Sequence, residues 1–504
     1  AGPGDPGMLT LRGLECLQRA DVIIHDKLVS PRVLEFAPAA AQRIAVDSLH
    51  ERHTERWPLV QQMMIDLARQ GKTVVRLKGG DPFIFGRGGE EAEALRQEGI
   101  SYEVVPGITA ALAAAACADI PLTHRFCASG VAFVTGHENP TKPESSVDWS
   151  ALARFPGTLV IYMGMARLEL IAKVLLEHGK PADTPAAIIQ TASLGSQLAR
   201  TTTLDKLDAM VRAEGLIPPA IVIIGPVVDF RPVQSWFERR PLFGQRVLVT
   251  RPRDQAAEMI HKLELLGANV FQLPVVEVRD PPDWSPVDDA IRRLHEYDWL
   301  VFTSVNGVQR FIQRLLDNGF DLRAFGRIKL ASIGPGTAGA LRHFNLKADV
   351  VPASFRSEDL VGVLKDKVKG HRILLARADR GRELLREELA AIAKVDQVAV
   401  YSQVDVICDQ PELLLMLSRG EIAYVTLTSS NIARAFLNVL DETARLRIHN
   451  GSAKLVSISP VTSATIRELS FPIAAEATEH TADGVIQALL KLTAQGRQSL
   501  GPSE

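Results

Sequence analysis

Between Val247 and Ile466 the chain repeats itself. The string VLVTRPRD at 247–254 matches ILLARADR at 373–380, LVFTSVNGV at 300–308 matches YVTLTSSNI at 424–432, and SIGPGTAGAL at 332–341 matches SISPVTSATI at 457–466. Val247 and Ile373 stand 126 residues apart, while Phe302 and Leu427, and Ile333 and Ile458, each stand 125 apart. A near-constant offset over three elements means duplicated halves. Each copy reads as strand, helix, strand, helix with hydroxyl-rich βα turns, and two such α/β units can enclose a ligand between them. Ser304 and Ser429 start helices in the two copies, so each is open to two compatible readings, a helix cap or a ligand contact.

The leading half has a different signature. Val75–Glu91 reads VRLKGGDPFIFGRGGEE, an apolar strand running into glycine pairs, an aspartate and an arginine, and residues 1–10 supply a second glycine loop, AGPGDPGMLT. Glycines at a strand's end let a backbone approach a ligand closely and adopt angles that a side chain forbids. Apolar strands alternate with helical patterns: Val74–Leu77 before a helix at about 88–98, Leu159–Met163 before one at about 167–178, and Ile221–Ile224. Such alternation predicts mostly parallel sheets covered by helices. The prolines, charges and isolated aromatics of 229–245 break the rhythm and mark the main boundary.

A chain of 504 residues, 46% of them hydrophobic, can form three or four compact units with real cores. Its formal charge of -2 argues against a nonspecific nucleic-acid binder and for a small-molecule partner. Cys16, Cys117, Cys127 and Cys408 show no CxxC spacing, as expected of a cytoplasmic protein. No apolar run approaches the roughly eighteen residues of a membrane span. The chain starts inside a glycine loop, without a preceding strand or a methionine, so the natural start is expected upstream. His50 and His53 could share a helix face, but HERH offers no third ligand, and no metal site is assigned.

The glycine strings, with HDKLVS at 25–30, VPGITAALAAAA at 105–116, IPLTHR at 120–125, YMG at 162–164 and PAIVIIGPVV at 219–228, closely resemble uroporphyrinogen-III C-methyltransferase over residues 1–240. The FTSVNGV, IGPGTAGAL and VAVYSQV elements of 243–493 resemble uroporphyrinogen-III synthase. The resemblance implies an α/β chain: a tetrapyrrole-methylase fold of two α/β subdomains, then a two-lobed α/β synthase fold. In that synthase fold QLPVVEV at 272–278 and the strand around Val398–Tyr401 form the two-stranded interdomain connection, leaving one lobe discontinuous in sequence. Residues 494–504 look like a disordered tail.

By the same resemblance the synthase half cyclises hydroxymethylbilane to uroporphyrinogen III. The methylase half then transfers two methyl groups from S-adenosyl-L-methionine to give precorrin-2, on the route to siroheme or cobalamin. Pro3, Gly79, Gly80, Asp81, Ile84, Thr109, Ala110, Met163 and Ala192 would contact the donor. Asp26 matches the family's proton acceptor, whereas the family's lysine proton donor falls at Ser48, which cannot replace an ammonium. Arg87, Glu90 and Arg125 match substrate-contacting positions. Arg87 and Glu90 also read as a surface pair one helical turn apart.

In the synthase half Tyr401 matches a tyrosine implicated in ring closure, with an ordinary strand tyrosine as the other reading. Thr303, Ser304, Thr337, Ser429 and Thr462 are expected in the repeated turns facing the cleft. No cofactor is implied for the synthase half, and a homodimer through the methylase half is implied by the resemblance. Two alternatives remain at this point. The leading half could be another tetrapyrrole methylase, or a relative acting on RNA or diphthine intermediates, and the duplicated half could be a noncatalytic two-lobed binding module.

Overall fold

The computed structural model describes residues 1–49, 53–138, 146–353, 356–380, 383–406 and 410–499, with backbone alone for 53–56 and 497–499. Two compact units result: Ala1–Gln245 with Glu264–Asn269, and Arg246–Leu263 with Val270–Glu504.

The first unit holds two sheets. Strands β1 (Val22–His25), β2 (Gln42–Ala45) and β3 (Val74–Leu77) form a parallel sheet in the order β2-β1-β3. Along one side of a cavity of about 480 Å³ run Val74–Lys78, and Ile100–Gly107 run along another. The second sheet joins β4 (Val131–Thr135), β5 (Thr158–Tyr162), β6 (Pro185–Gln190), β7 (Leu198–Thr203) and β8 (Ala220–Ile224) in the order β4-β5-β8-β6-β7.

Alternation predicts parallel pairing, but only β4 and β5 run parallel here; β8 is antiparallel to β5 and β6, and β6 to β7. The reason is the connection between β6 and β7, which reverses over Thr191–Gln197 through positive φ at Thr191 (46°) and Ser193 (70°). So short a link can join only antiparallel neighbours, since a parallel pair needs a crossover of about a dozen residues. Against this sheet packs the helix Ala110–Ala118, whose Ala111, Ala114, Ala115 and Ala118 lie in one core with Val160, Ile189 and Ile223. Alanine side chains let helix and sheet approach closely, which fixes Thr109 at the helix's start.

The second unit also holds two sheets. One runs β10 (Asn269–Gln272), β9 (Arg246–Val249), β16 (Tyr424–Leu427), β17 (Lys454–Ser457), β18 (Ala475–Glu476). The other runs β11 (Val276–Arg279), β15 (Lys394–Asp405), β14 (Arg372–Ala378), β12 (Trp299–Phe302), β13 (Lys329–Ser332). The duplicated copies therefore do not each build a lobe. From the first copy β9 joins β16 and β17 of the second, whereas β14 of the second joins β12 and β13 of the first. Val247, Leu248 and Val249 are fully buried, as expected of a parallel strand flanked on both edges. One lobe is thus discontinuous in sequence.

The two-stranded connection forms, one step later than expected: β11 pairs antiparallel with Ser402–Asp405, while Val398–Tyr401 belongs to the parallel ladder with β14. A bulge interrupts that ladder, with Arg377 opposite Ala399 but Ala378 opposite Tyr401. Bulges re-aim side chains and are common beside functional sites. The disordered tail expected from 494 is instead the end of the helix Ala482–Ser499, and 500–504 lie outside the described residues.

Because each sheet draws on both copies, residues 246–371 expressed alone will lack secondary structure by circular dichroism, and 372–499 likewise. Mixing the two will restore it. A cooperatively folded single copy would contradict the strand exchange.

Candidate active sites in the two units

Backbone contacts gather the glycine loops of the first unit. Gly80 N–H donates to Gly2 O at 2.7 Å and Gly2 N–H to Gly80 O at 3.3 Å, so the amide of Gly80, expected to face a ligand, is taken up by the other loop. A third segment closes in at Gly107, where a Cβ would lie 2.3 Å from Gly80 O. Asp81 ties these pieces together, accepting from Phe83 N at 2.8 Å and Gly107 N at 2.9 Å. Gly80 itself sits at φ 66°, within 3.5 to 3.6 Å of Thr109 Cα and Ala110 N from the position of an added Cβ.

Two loops of the second sheet reach the same place. Tyr162 OH lies 2.6 Å from Thr109 Oγ1 and accepts from Ala111 N at 3.0 Å, which sets Met163, half exposed with φ 55°, at the cradle's edge. Burial raises the Tyr162 phenol's pKa, so it remains a neutral hydrogen-bonding group. Ser193 Oγ accepts from Asp5 N at 3.3 Å, which places Ala192 beside the loop that carries Pro3. Ile84 packs against the alanine helix's core. The nine residues expected around the donor thus sit on five converging segments, several presenting backbone, with Gly80 at a positive φ and no room for a Cβ at Gly107. Such a cradle fits a small polar cofactor.

Beside it stands a cluster of charges. β1 ends with His25 opposite Leu77 of β3, so the next residues, Asp26 and Lys78, are neighbours. Alternation puts Arg76 and Lys78 on one face of β3. Arg76 pairs with Asp26 through Nη2 and with Glu91 Oε1 at 2.9 Å; Lys78 Nζ lies 3.0 Å from both Glu91 oxygens and 3.9 Å from Asp26 Oδ2. Side-chain exposure falls from 27% at Asp26 to 9% at Arg76, 7% at Glu91 and 4% at Lys78. Burial, then Arg76, lowers the Lys78 pKa, against the pull of Glu91 and Asp26. The Trp57 ring faces all three cations, 5.9 Å from Arg76, 5.3 Å from Lys78 and 4.9 Å from Arg87.

Arg87 adopts φ 57° just before the helix Gly88–Gln97, exposed, as is Glu90, whose carbonyl accepts from Gln61 Nε2 at 3.2 Å. Arg125 lies exposed on the turn bridged by His124 and Ala128. Ser48 is exposed and donates to Ala45 O at 2.6 Å. His50 lies outside the described residues, and the His53 side chain is not described. Exposed Leu28, Phe83 and Phe85 rim the cradle, Leu28 Cβ lying 3.7 Å from where a Gly79 Cβ would be.

In the second unit a cavity of about 220 Å³ opens at the carboxyl ends of β12, β13, β14 and β15, lined by Thr303, Ile333, Arg377, Tyr401 and Gln403, with Asn431 from the other lobe. It lies between β12 and β14, where the strand order reverses, the usual crevice for a ligand in an open α/β sheet. Tyr401 donates to Ser304 Oγ at 3.0 Å, and burial raises its pKa. Ser304 and Ser429 both cap helices, accepting from Gly307 N at 2.9 Å and Ile432 N at 3.2 Å. Thr337 and Thr462 do not lie in open turns; they occupy first helical turns and are buried, Thr462 pairing with Ser459.

Sequence reasoning missed Arg76, Lys78, Glu91 and Tyr162 in the first unit and Arg377, Gln403 and Asn431 in the second. Two cations alternating in an otherwise apolar strand were the available signal for Arg76 and Lys78. Asn431 carried none, because its bond to Gln403 Oε1, 2.7 Å, joins different lobes.

Residues 1–208 match the family described as Tetrapyrrole (Corrin/Porphyrin) Methylases, and 257–487 match Uroporphyrinogen-III synthase HemD. The Porphyrin biosynthesis protein HemD of Ruminiclostridium josui is 33% identical over 439 residues, 87% of each chain. The Uroporphyrinogen-III C-methyltransferase of Bacillus subtilis is 39% identical over 323 residues, 64% of this chain and 66% of the relative. The Siroheme synthase of Pseudomonas fluorescens SBW25 is 49% identical over 239 residues, 47% and 51% of the two chains, so this chain spans about half of that relative's length. The chain belongs to the family of porphyrin-biosynthesis proteins that join a tetrapyrrole methylase to uroporphyrinogen-III synthase. It is a bifunctional enzyme of tetrapyrrole biosynthesis.

Removing the Ser429 cap by Ser429→Ala should destabilise the second unit by about 1 kcal/mol, read as a lower urea midpoint at unchanged slope.

Proposed function

We propose that the first unit, taken as a methylase domain over 1–240, transfers two methyl groups from S-adenosyl-L-methionine to uroporphyrinogen III, giving precorrin-2. The second, a synthase domain over 243–493, makes that substrate from hydroxymethylbilane. The observation that carries the reading is the loop cradle of Gly80, Gly107 and Thr109 set against the HDKL loop that bears Asp26. The donor would be held by Pro3, Gly79, Gly80, Asp81, Ile84, Thr109, Ala110, Met163 and Ala192, and when bound it supplies an electrophilic sulfonium methyl. Alignment of the two reactants is the chain's main contribution.

Asp26 accepts the pyrrole N–H proton released as the ring carbon takes the methyl, and its partial exposure gives that proton a path to water. Leu28, Phe83 and Phe85 offer an apolar rim to a flat macrocycle, while Arg87 and Arg125 bind its carboxylates as bidentate partners. Glu90 contacts the substrate beside Arg87. In the second unit Tyr401 hydrogen-bonds the departing hydroxyl, Thr303 lines the cavity with Arg377 as a buried cation, and Ser304 and Ser429 stand at helix starts, whereas the buried Thr337 and Thr462 support the neighbouring helices from inside. The synthase half works without a cofactor. The same reading extends to a cytoplasmic homodimer joined through the methylase unit. Among the described residues no helix is long and apolar enough to cross a membrane.

Supplying hydroxymethylbilane and S-adenosyl-L-methionine together should yield precorrin-2 by absorbance and mass. Uroporphyrin I as the sole tetrapyrrole would contradict the synthase assignment, and unmethylated uroporphyrinogen III the methylase assignment. Tyr401→Phe should slow ring closure about tenfold, the worth of one hydrogen bond, and leave methylation unchanged. Unaltered cyclisation would remove Tyr401 from the mechanism.

A further inference from the structure

The resemblance puts a lysine proton donor at the position held here by Ser48, and Ser48 spends its hydroxyl on Ala45 O. An ammonium nevertheless stands near Asp26, brought by the neighbouring strand rather than by the loop after β2. Lys78 Nζ is 3.9 Å from Asp26 Oδ2, on the residue that follows β3 as Asp26 follows β1. Its other contacts are the two Glu91 oxygens, both at 3.0 Å, and the Trp57 ring. With Arg76 the group holds two cations and two anions, so its charge balances and three members can remain buried.

We infer that Lys78 is a positioning residue for methyl transfer: clamped by Glu91, its ammonium supplies the second cation beside Asp26 and so sets how readily that carboxylate takes up the substrate's proton. The inference rests on the methyl-transfer reading above. In the step itself the pyrrole carbon's electron pair forms the new carbon–carbon bond while the methyl–sulfur bond breaks. Sulfur keeps that pair as a neutral thioether. The ring nitrogen then loses its proton to Asp26, and water removes the proton from the carboxylic acid.

The charged groups facing Asp26 are Arg76 of β3 and Lys78 just after it, with Glu91 behind them on the helix Gly88–Gln97 and Arg87 against the same Trp57 ring as both cations. His25 precedes it, with Nδ1 3.4 Å from the Asp26 carbonyl. Within this set two substitutions act in opposite senses. Lys78→Met removes a cation and leaves Arg76 shared with Glu91, which favours the protonated acid. Glu91→Gln removes an anion and releases Lys78 toward Asp26, which favours the carboxylate.

The test uses the full chain, with uroporphyrinogen III and S-adenosyl-L-methionine at saturation, and measures kcat from pH 5 to 9. The acidic limb should move up by about one pH unit in Lys78→Met and down in Glu91→Gln, the range expected for one charge a few ångströms away. Lys78→Arg should restore the wild-type limb. The Asp26 carboxyl signal in protein labelled with carbon-13 aspartate, assigned by its loss in Asp26→Asn, should titrate in the same directions. This signal does not depend on turnover, so it separates the inference from the methyl-transfer reading. If Lys78→Met does not fold, Glu91→Gln and Lys78→Arg decide the matter alone. Limbs and titrations that stay together, or shift the same way in both charge-removing variants, would overturn the role of Lys78. A wild-type chain that transfers no methyl group but shows the opposed titrations would keep the charge coupling and overturn the function.

Discussion

The close approach of Gly2, Gly80 and Gly107 is the constraint on which the first unit's chemistry depends. No side chain fits where Gly107 faces Gly80 O, and the two hydrogen bonds between Gly2 and Gly80 hold the opening loop against the end of β3. Asp81, in the same motif, uses its carboxylate on backbone amides of Phe83 and Gly107. Its role in the structure is therefore to tie loops, which lets backbone atoms rather than flexible side chains define the cradle. Preorganised backbone loses little entropy when a ligand arrives.

That cradle also decides where charge can stand. Because β3 runs on through Lys78 into Gly79 and Gly80, Arg76 and Lys78 carry the last cations before the glycine pair, and both stand beside Asp26, the residue after β1. Burying such a group is costly unless each member is matched, and Glu91 supplies the match from the following helix. In the second unit the parallel solution is geometric. The bulge opposite Arg377 and Ala378 shifts the register of β15, and Tyr401 reaches across β14 to Ser304, a helix cap on the loop after β12.

Much of this was legible along the chain. Glycine pairs after an apolar strand, the HDKLVS string, and the near-constant offset of the repeats report local requirements: a positive φ, a close approach, a strand that must be covered on both faces. Ser304 and Ser429 illustrate the limit, because a hydroxyl at a helix start reads equally as a cap or a ligand contact, and both proved to be caps. Thr337 and Thr462 show the other failure. The turn sequence locates them near the strand ends, but helical geometry rotates their side chains into the interior.

The sequence alone determined which segments are strands, helices and glycine loops, that the second half is duplicated, and which family the chain resembles, because these follow from residue type and short-range spacing. Only the tertiary structure decided that the duplicated copies exchange their first strands, that β6, β7 and β8 run antiparallel, and that Lys78 comes to stand beside Asp26. Each depends on which strands become neighbours. That choice is made by burying apolar faces across long separations, and no window of adjacent residues records it.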